Sequence, residues 1–379
     1  MGLFPLGNAG AQPLPPAPLP PNPVPEAPLL EAAIDGNVTA LDIRVPMDAP
    51  GRRPPLLWSD EMSQLGTTYF RLHVGPSGVP FPAGAELRLI SGAGDVSRIN
   101  LASLGADGAW SDLILGGRVR LAVLSPQPAP GAVLRIDRMQ AEAKGVTLYS
   151  TWGDNEILPV HDPQVPQVVG AVASSVAFLS FIEGGRSRSC TGFLISADTL
   201  LTNEHCIRSA GACASMRAVF GYEFAPDGRL AMGPQSACAG FEPALSDFAT
   251  DVTVIRLVPP PGDGYRPVAL PAPAGDPPER PPEGPLFIVQ HPTAQPKQVS
   301  ITNCGWRDWP VAGRAADSDF THTCDTARGS SGAPVFDLAG RLVGIHHFGF
   351  RDTDSTVWTE NRAVRIGPVA RWLSQQGLP

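Results

Sequence analysis

Short runs of alternating apolar and polar residues fill the chain from residue 29 to about residue 145. The alternation is clearest at residues 69–74 and 118–124, where apolar residues would lie on one face of a strand and charged residues on the other. Gly, Pro, Asp and Ser separate the runs, as turn residues do. The pattern predicts an antiparallel β-sandwich, built from strands at residues 41–45, 69–74, 86–90, 96–101, 110–115, 118–124 and 133–139.

The remainder of the chain is also predicted to be mainly β structure. Apolar runs at residues 172–181 and 191–196 predict strands, whereas residues 368–376 begin with proline and carry apolar residues at helical spacing. Residues 1–28 contain ten prolines and predict a disordered arm. Residues 146–165 have the composition of a linker, so the domain beyond it spans residues 166–379. A loop with eleven prolines at residues 259–285 is expected on the surface.

The composition excludes several classes of function. With 28 basic and 36 acidic residues the net charge is −8, which gives no basic surface for nucleic acid or an anionic membrane. No apolar run is long enough to span a bilayer, and residues 1–10 show no signal peptide. We therefore expect neither a nucleic-acid partner nor a membrane span. We also expect the protein to be a monomer.

All six cysteines lie in the second half of the chain. An even number without Cys-x-x-Cys pairs favours disulfides over a zinc site. Disulfides indicate a secreted or periplasmic protein. We find no cluster of metal-ligand spacing and expect neither metal nor cofactor. The sequence alone allows about 15 ways of pairing the six, which are Cys190, Cys206, Cys213, Cys238, Cys304 and Cys324.

A Gly-Ser-Ser-Gly turn at residues 329–332 contains a candidate nucleophile. A serine in such a turn can expose its hydroxyl and leave nearby backbone N–H groups free, so Ser331 suits acyl transfer. His205 ends the segment Leu-Leu-Thr-Asn-Glu-His and is the candidate base. Asp251 begins Asp-Val-Thr-Val-Ile-Arg-Leu and is the candidate acid. Asp247 is a rival acid, but no apolar strand follows it directly.

These segments, in the order His, Asp, Ser, resemble the chymotrypsin-fold (trypsin-like) serine proteases over residues 155–379. Thr-Leu-Leu-Thr-Asn-Glu-His, Gly-Ser-Ser-Gly-Ala-Pro-Val-Phe and Leu-Val-Gly-Ile-His most resemble the bacterial glutamyl-endopeptidase-like branch. The resemblance implies an all-β fold, with a chymotrypsin-like double β-barrel and a short C-terminal helix after the β-sandwich. It also implies a serine endopeptidase that cleaves protein or peptide substrates through an acyl-enzyme.

The roles implied by the resemblance are specific. Ser331 attacks the scissile carbonyl, His205 transfers its proton, and Asp251 orients His205. Backbone N–H groups of Gly329 and Ser331 form the oxyanion hole. Ser330 stands where digestive trypsin-like enzymes carry the Asp that receives the new N-terminus, so that activation switch is not predicted here.

The pocket residues implied by the resemblance predict two opposite substrate preferences. Asp325 lies six residues before Ser331, where trypsin-like enzymes hold the acid that binds Arg or Lys. His346 lies fifteen residues after Ser331, where glutamyl endopeptidases hold a His that binds Glu, and Thr326 resembles their pocket Thr. A preference for a charged residue before the scissile bond is expected, acidic or basic.

Spacing favours the disulfides Cys190–Cys206, Cys213–Cys238 and Cys304–Cys324, and the family best supports the first. Glu156–Ile157 lies in the linker just before the protease-like part. Cleavage there would make residues 1–156 the pro-region of a zymogen.

Two other functions remain open. One is a binding or adhesive protein whose protease-like part is catalytically inactive. The β-sandwich itself is expected to be a pro-domain or accessory domain, and a carbohydrate- or protein-binding module is the alternative. An esterase is the third, but it needs a strand-turn-helix around the serine, and Ala333-Pro-Val-Phe predicts a strand instead.

Overall fold

A computed structural model describes residues 33–64, 66–142, 149–150, 154–272, 281–351 and 358–378. The predicted proline-rich arm, residues 1–28, lies outside the described residues. So do residues 143–145 at the end of the predicted β-sandwich, residues 146–148 and 151–153 of the predicted linker, and residues 273–280 of the proline-rich loop.

The N-terminal half is a sandwich of two antiparallel sheets. Its strands are β1 (Ala33–Pro46), β2 (Leu56–Ser63), β3 (Tyr69–Gly75), β4 (Glu86–Ser91), β5 (Val96–Asn100), β6 (Ala109–Trp110), β7 (Ile114–Leu115), β8 (Arg118–Leu124) and β9 (Val133–Glu142), with a 3₁₀ turn at Leu101–Ser103. One sheet has the order β1-β9-β3, with β6 and β7 also on β3, and the other has the order β2-β8-β4-β5. Two details of the prediction are wrong: β2 was not predicted, and residues 110–115 form two short strands instead of one.

The alternation in the sequence places the core of the sandwich. Along β8, Val119, Leu121 and Val123 are buried while Arg118 and Arg120 are exposed, as the two-residue period of a strand requires. The inward faces of both sheets contribute to one apolar cluster.

The second half begins with two short strands and a helix, which are β10 (Tyr149–Ser150), β11 (Leu158–Pro159) and α1 (Gln167–Ala173). Next come α2 (Ala210–Ser215), a 3₁₀ turn at Pro243–Leu245, and the strands β12 (Val176–Glu183), β13 (Arg186–Leu194), β14 (Thr199–Thr202), β15 (Arg217–Phe220), β16 (Glu223–Phe224), β17 (Leu230–Ala231), β18 (Gln235–Cys238), β19 (Ser246–Asp247) and β20 (Val252–Val258). Six of these strands close a barrel in the order β12-β13-β14-β20-β18-β15 and back to β12. The prediction of a strand over residues 172–181 is wrong at its start, because α1 continues to Ala173 and β12 begins at Val176.

The last part contains the strands β21 (Leu286–Gln290), β22 (Gln298–Ser300), β23 (Asp319–His322), β24 (Thr326–Ala327), β25 (Pro334–Asp337), β26 (Leu342–Arg351) and β27 (Trp358–Arg365), a 3₁₀ turn at Pro292–Ala294, and the helix α3 (Ile366–Gln375). Seven strands pair in the order β11-β22-β21-β25-β26-β27-β23. Helix α3 packs Val369 and Leu373 into the apolar cluster shared with the first barrel. The predicted fold class, a double β-barrel with a C-terminal helix after a β-sandwich, is confirmed.

The sandwich and the first barrel share one sheet. Strand β1 pairs with β9 of the sandwich and also with β13 of the barrel, where Gly36 opposes Ser187. The buried ring of Tyr69 lies 5.8 Å from the ring of Phe178 and 6.1 Å from that of Tyr222, measured between centroids. The two halves are therefore continuous in both backbone pairing and apolar packing.

Polar contacts add to this interface. Arg71 donates from Nη1 to the carbonyl of Ser215 at 2.6 Å. Arg217 donates from Nε to Asp112 Oδ1 at 3.1 Å and from Nη2 to the carbonyl of Trp110 at 2.6 Å. Hydrogen bonds that involve charged groups are stronger than neutral ones, so these contacts fix the orientation of the sandwich on the barrel.

The three disulfides have the predicted pairing, Cys190–Cys206, Cys213–Cys238 and Cys304–Cys324. All three lie in the second half of the chain, and the first ties β13 to the turn that carries His205. Among the described residues, no helix has the length and apolar character needed to cross a membrane.

Candidate active site

Strand pairing brings His205 and Asp251 together. Strands β14 and β20 are antiparallel neighbours with Thr202 opposite Thr253, so the turn after one strand meets the turn before the other. His205 Nδ1 lies 2.9 Å from Asp251 Oδ2, and the backbone N–H of His205 donates to Oδ1 at 3.1 Å. The N–H of Glu204 and the side chain of Asn203 both donate to the Asp251 carbonyl. These bonds fix the backbone around both residues.

The carboxylate of Asp251 is fully buried and receives hydrogen bonds on both oxygens. Arg314 Nη2 lies 3.1 Å from Oδ1, and His347 Nδ1 lies 3.1 Å from Oδ2. Burial alone would raise the pKa of Asp251, but the charge and hydrogen bond of His205, together with His347, hold this pKa well below its usual range. Asp251 is therefore an anion at neutral pH, as a residue that orients a histidine must be.

The turn that holds Ser331 depends on two glycines with left-handed backbone. Gly329 has φ +95° and Gly332 has φ +85°. A Cβ on Gly332 would lie 2.1 Å from the carbonyl oxygen of Thr191, so only glycine fits. Among the described residues, the backbone N–H groups of Gly329 and Ser331 have no acceptor, whereas those of Ser330 and Gly332 are bonded. The predicted oxyanion donors are thus available to a substrate.

The hydroxyl of Ser331 is not hydrogen-bonded to His205. It donates to the carbonyl of His347 at 3.2 Å, while Nε2 of His205 has no partner in the part of the chain that the structure describes. Ser331 is 8% exposed and His205 is 3% exposed. A rotation of the Ser331 side chain is needed before Oγ can give its proton to Nε2, and catalytic hydrogen bonds commonly tighten only when substrate binds.

The rival acid, Asp247, has a local structural role. Its Oδ2 accepts from the backbone N–H of Thr250 at 2.9 Å and from the Thr250 hydroxyl at 2.6 Å. It therefore closes the turn that leads into Asp251, and it is Asp251 that contacts His205.

Asp325 and Thr326 lie together, and the chain upstream of the barrels covers them. Strand β10 pairs with β24, with Ser150 opposite Thr326. The backbone N–H of Glu156 donates to Asp325 Oδ2 at 2.9 Å. Both Asp325 and Thr326 are buried, so the predicted pocket floor is occupied by the protein's own linker.

His346, the other predicted pocket residue, is buried and forms a pair with His322. His322 Nε2 lies 3.1 Å from His346 Nδ1. Burial, reinforced by the neighbouring His322 and His347, holds the pKa of His346 well below its usual range. Burial also lowers the pKa of His322 to about 3. Both imidazoles are therefore uncharged at neutral pH.

Three site residues were missed by sequence reasoning. Arg314 and His347 both contact Asp251, and Asp319 Oδ2 lies 2.8 Å from His347 Nε2. The two consecutive histidines at positions 346 and 347 were a signal visible in the sequence. Nothing in the sequence around Arg314 or Asp319 indicates a contact with a residue so distant in the chain.

One cluster has the geometry of a metal site without its chemistry. Ligand atoms of Cys190, His205 and Cys206 lie within 4.8 Å of one another. The two sulfurs are joined in a disulfide, so neither can act as the thiolate ligand that a metal requires.

Residues 190–345 match the family described as "Trypsin-like peptidase domain". The closed first barrel, the second sheet and the C-terminal helix agree with that family's architecture. This part of the chain therefore resembles a trypsin-like peptidase domain.

The chain is also similar to an uncharacterized protein, y4fB, of Sinorhizobium fredii, at 32% identity over 216 residues. The match covers 50% of this chain and 31% of that protein, so this chain spans about a third of its relative's length. Among solved structures it resembles the Rv3671c protease from M. tuberculosis in active form, with 19% identity, a TM-score of 0.41, and coverage of 60% and 93% of the two chains. An HtrA-type protease with a tripeptide gives 21% identity, a TM-score of 0.38, and coverage of 55% and 62%.

Proposed function

We propose that the protein is a secreted serine endopeptidase that uses Ser331 as nucleophile, His205 as general base and Asp251 as the residue that orients His205. The observation that carries this proposal is the 2.9 Å contact between His205 Nδ1 and Asp251 Oδ2. An anionic Asp251 keeps the proton on Nδ1, which leaves Nε2 as an acceptor for the Ser331 hydroxyl. Attack on a peptide carbonyl would give an acyl-enzyme, which water then hydrolyses.

The free N–H groups of Gly329 and Ser331 support the same mechanism. They can bind the negative charge that develops on the carbonyl oxygen during attack. Losing one such donor typically slows the chemical step by about 100- to 1000-fold.

The three disulfides support secretion, because disulfides persist in oxidising compartments. We divide the chain into a β-sandwich at residues 29–145, a linker at 146–165 and the peptidase domain at 166–379.

The alternative is an inactive protease-like domain in a binding protein. The bond from the Ser331 hydroxyl to the His347 carbonyl, with His205 Nε2 unbonded among the described residues, favours that alternative. Reactivity of the serine separates the two functions.

A fluorophosphonate probe should label the protein at Ser331. The probe reacts only with a serine whose proton is accepted by a base, so labelling should disappear in Ser331→Ala. Ser330→Ala is the matched control, because Ser330 Oγ accepts the N–H of Ala327 at 3.0 Å and has a local role. Mass spectrometry of the labelled peptide should place the adduct at Ser331. A folded protein that stays unlabelled after cleavage of the Glu156–Ile157 bond would support the inactive alternative.

For specificity, we infer a charged residue before the scissile bond, and the buried charges support a basic one. Asp325 offers a carboxylate at the pocket floor. His346 has a pKa held well below its usual range, so it brings no positive charge for a glutamate side chain. A buried carboxylate strongly favours a cation over an anion.

A peptide library digested by the enzyme should therefore show cleavage after Lys and Arg. Asp325→Asn should reduce kcat/KM for these sites by about 100-fold, because a buried charge pair is lost. His346→Gln serves as the comparison and should leave the basic preference in place. Preferential cleavage after Glu would support the glutamyl-endopeptidase-like branch instead, and cleavage chiefly after apolar residues would contradict any charged preference.

A further inference from the structure

His347 is placed where it contacts both ends of the candidate catalytic machinery. Its Nδ1 lies 3.1 Å from Asp251 Oδ2, and its backbone carbonyl accepts the Ser331 hydroxyl at 3.2 Å. Its Nε2 lies 2.8 Å from Asp319 Oδ2. The side chains of His347, Asp251 and Asp319 are each 3% exposed or less.

The hydrogen bonds specify the charge of His347 when both carboxylates are ionised. A carboxylate is only an acceptor, so each of the two contacts requires a proton on the ring nitrogen. A neutral imidazole carries one N–H and could satisfy only one carboxylate. With both carboxylates ionised, His347 must be an imidazolium. Burial opposes that charge, but Asp319 and Asp251 raise the pKa of His347 above its ordinary value, which agrees with the geometry.

Asp319 is held for this contact from its other side. Ser318 Oγ donates to Asp319 Oδ1 at 2.6 Å. The chain passes the carboxylate at Gly313, where a Cβ would lie 2.0 Å from Oδ1. A side chain at that position would displace Asp319, so the fold keeps a space for its carboxylate.

Charges of opposite sign alternate through the site. Arg314 Nη1 lies 2.7 Å from Glu204 Oε2, and Arg314 Nη2 lies 3.1 Å from Asp251 Oδ1. The order is Glu204, Arg314, Asp251, His347, Asp319, which is negative, positive, negative, positive, negative. Three anions and two cations leave one net negative charge beside His205. A proton taken up by His205 from Ser331 would balance that charge.

Two of the described ionisable groups near His347, the imidazoles of His346 and His322, do not supply a competing charge. His346 precedes it in sequence and bonds to His322, and both are uncharged because burial lowers their pKa values. His205 meets the same Asp251 oxygen from the other side.

We propose that His347 is a positioning residue, a protonated imidazolium bound between Asp319 and Asp251 that fixes the Asp251 carboxylate for its contact with His205. This inference rests on the proposed serine endopeptidase function. The His347 ring bonds Asp251 and Asp319, so the effect of its charge acts through Asp251.

The protonation of His347 can be measured without catalysis. In Ser331→Ala protein labelled with ¹⁵N-histidine, both ring nitrogens of His347 should remain protonated from pH 5 to pH 9, roughly two units either side of the ordinary histidine value. In the same protein carrying Asp319→Asn, one anion is removed and His347 should lose a proton as the pH rises through about 6.5. A neutral His347 ring at pH 7 in the first protein would overturn the proposal, whether or not the enzyme is active.

Kinetics then separate positioning from mere structural support. In the active chain, His347→Gln should lower kcat by about 10- to 100-fold with little change in KM, because a charged hydrogen bond to Asp251 is lost. Asp319→Asn should introduce a fall in kcat/KM above about pH 6.5 that the parent does not show. Asp337→Asn, another buried acid of the same barrel that bonds Arg341, is the matched control and should not alter the profile. Identical pH profiles for Asp319→Asn and the parent would contradict the proposal.

Discussion

Asp251→Asn should lower kcat by about 10,000-fold at neutral pH while the chain still folds. Four donors converge on the two carboxylate oxygens of Asp251: two from His205, one from Arg314 and one from His347. An amide group replaces one oxygen with a donor, so in either orientation it faces another donor. If it faces His205 Nδ1, the ring proton moves to Nε2, and His205 can no longer accept the Ser331 proton.

The same substitution should also destabilise the protein, by about 3–5 kcal/mol, because His347 and Arg314 lose a buried anionic partner. Chemical denaturation gives the free energy of unfolding, and initial rates on the same purified sample give kcat. Asp247→Asn is the matched control, since its carboxylate bonds only Thr250 among the described contacts. It should cost about 1 kcal/mol and leave kcat within a few-fold of the parent. If Asp247→Asn were instead the inactive variant, Asp247 would be the catalytic acid.

The second large effect should follow cleavage of the linker at Glu156–Ile157. In the intact chain, the Glu156 N–H binds Asp325 and strand β10 pairs with β24, so the linker closes the pocket floor. We expect the intact chain to hydrolyse peptides about 100-fold more slowly than the cleaved chain, because a displacement of catalytic groups commonly slows a reaction by this much. N-terminal sequencing of active enzyme should then begin at Ile157.

The Ser331→Ala chain shows whether the protease cuts itself. If it stays intact while the parent is cut, the protease cuts itself. Where the parent also stays intact, a glutamate-specific protease can be added to the parent, and its rate before and after the cut is compared. Equal rates for intact and cleaved protein, or an active chain that still begins near Met1, would contradict a zymogen.

The cut should not release the β-sandwich. Strand β1 remains paired with β13, Tyr69 remains packed on Phe178, and Arg217 remains bonded across the interface. The two fragments should therefore elute together in size-exclusion chromatography. Arg217→Ala should weaken their association. Arg229→Ala should not, because Arg229 is exposed and forms its ion pair with the exposed Asp227. The sandwich would then be a permanent part of the active enzyme.

The sequence predicted the parts of the fold that depend on local periodicity. Strand β8 buries alternate residues, whereas β3 is buried along its whole length, including Arg71 and His73, which the sequence places on a polar face. The candidate site residues lie at the ends of apolar strands. Strand β2 was missed because Leu57 is its one buried residue, so it shows no alternation. Helix α1 was missed because the apolar residues at its end run almost directly into the apolar strand β12.

The charges around Asp251 could not be predicted, because they depend on distant segments. His347 lies 96 residues from Asp251 in sequence, and Asp319 lies 28 residues from His347. A sequence pattern can identify a residue at the end of a strand, but it cannot identify which buried charged side chain will contact that residue after folding. The linker over Asp325 was also unexpected, since Glu156 and Asp325 are 169 residues apart.

The sheet shared by β1 and β13 has a consequence for how the chain is made. A ribosome releases the N-terminal half first, and domains generally fold as units in that order. The sandwich can therefore be complete, with the start of β1 presenting unpaired backbone groups, before β13 is synthesised. An unpaired strand edge is a template for another strand. The first barrel would thus be nucleated on an edge that already exists, which shortens the search for a slow, non-local β topology.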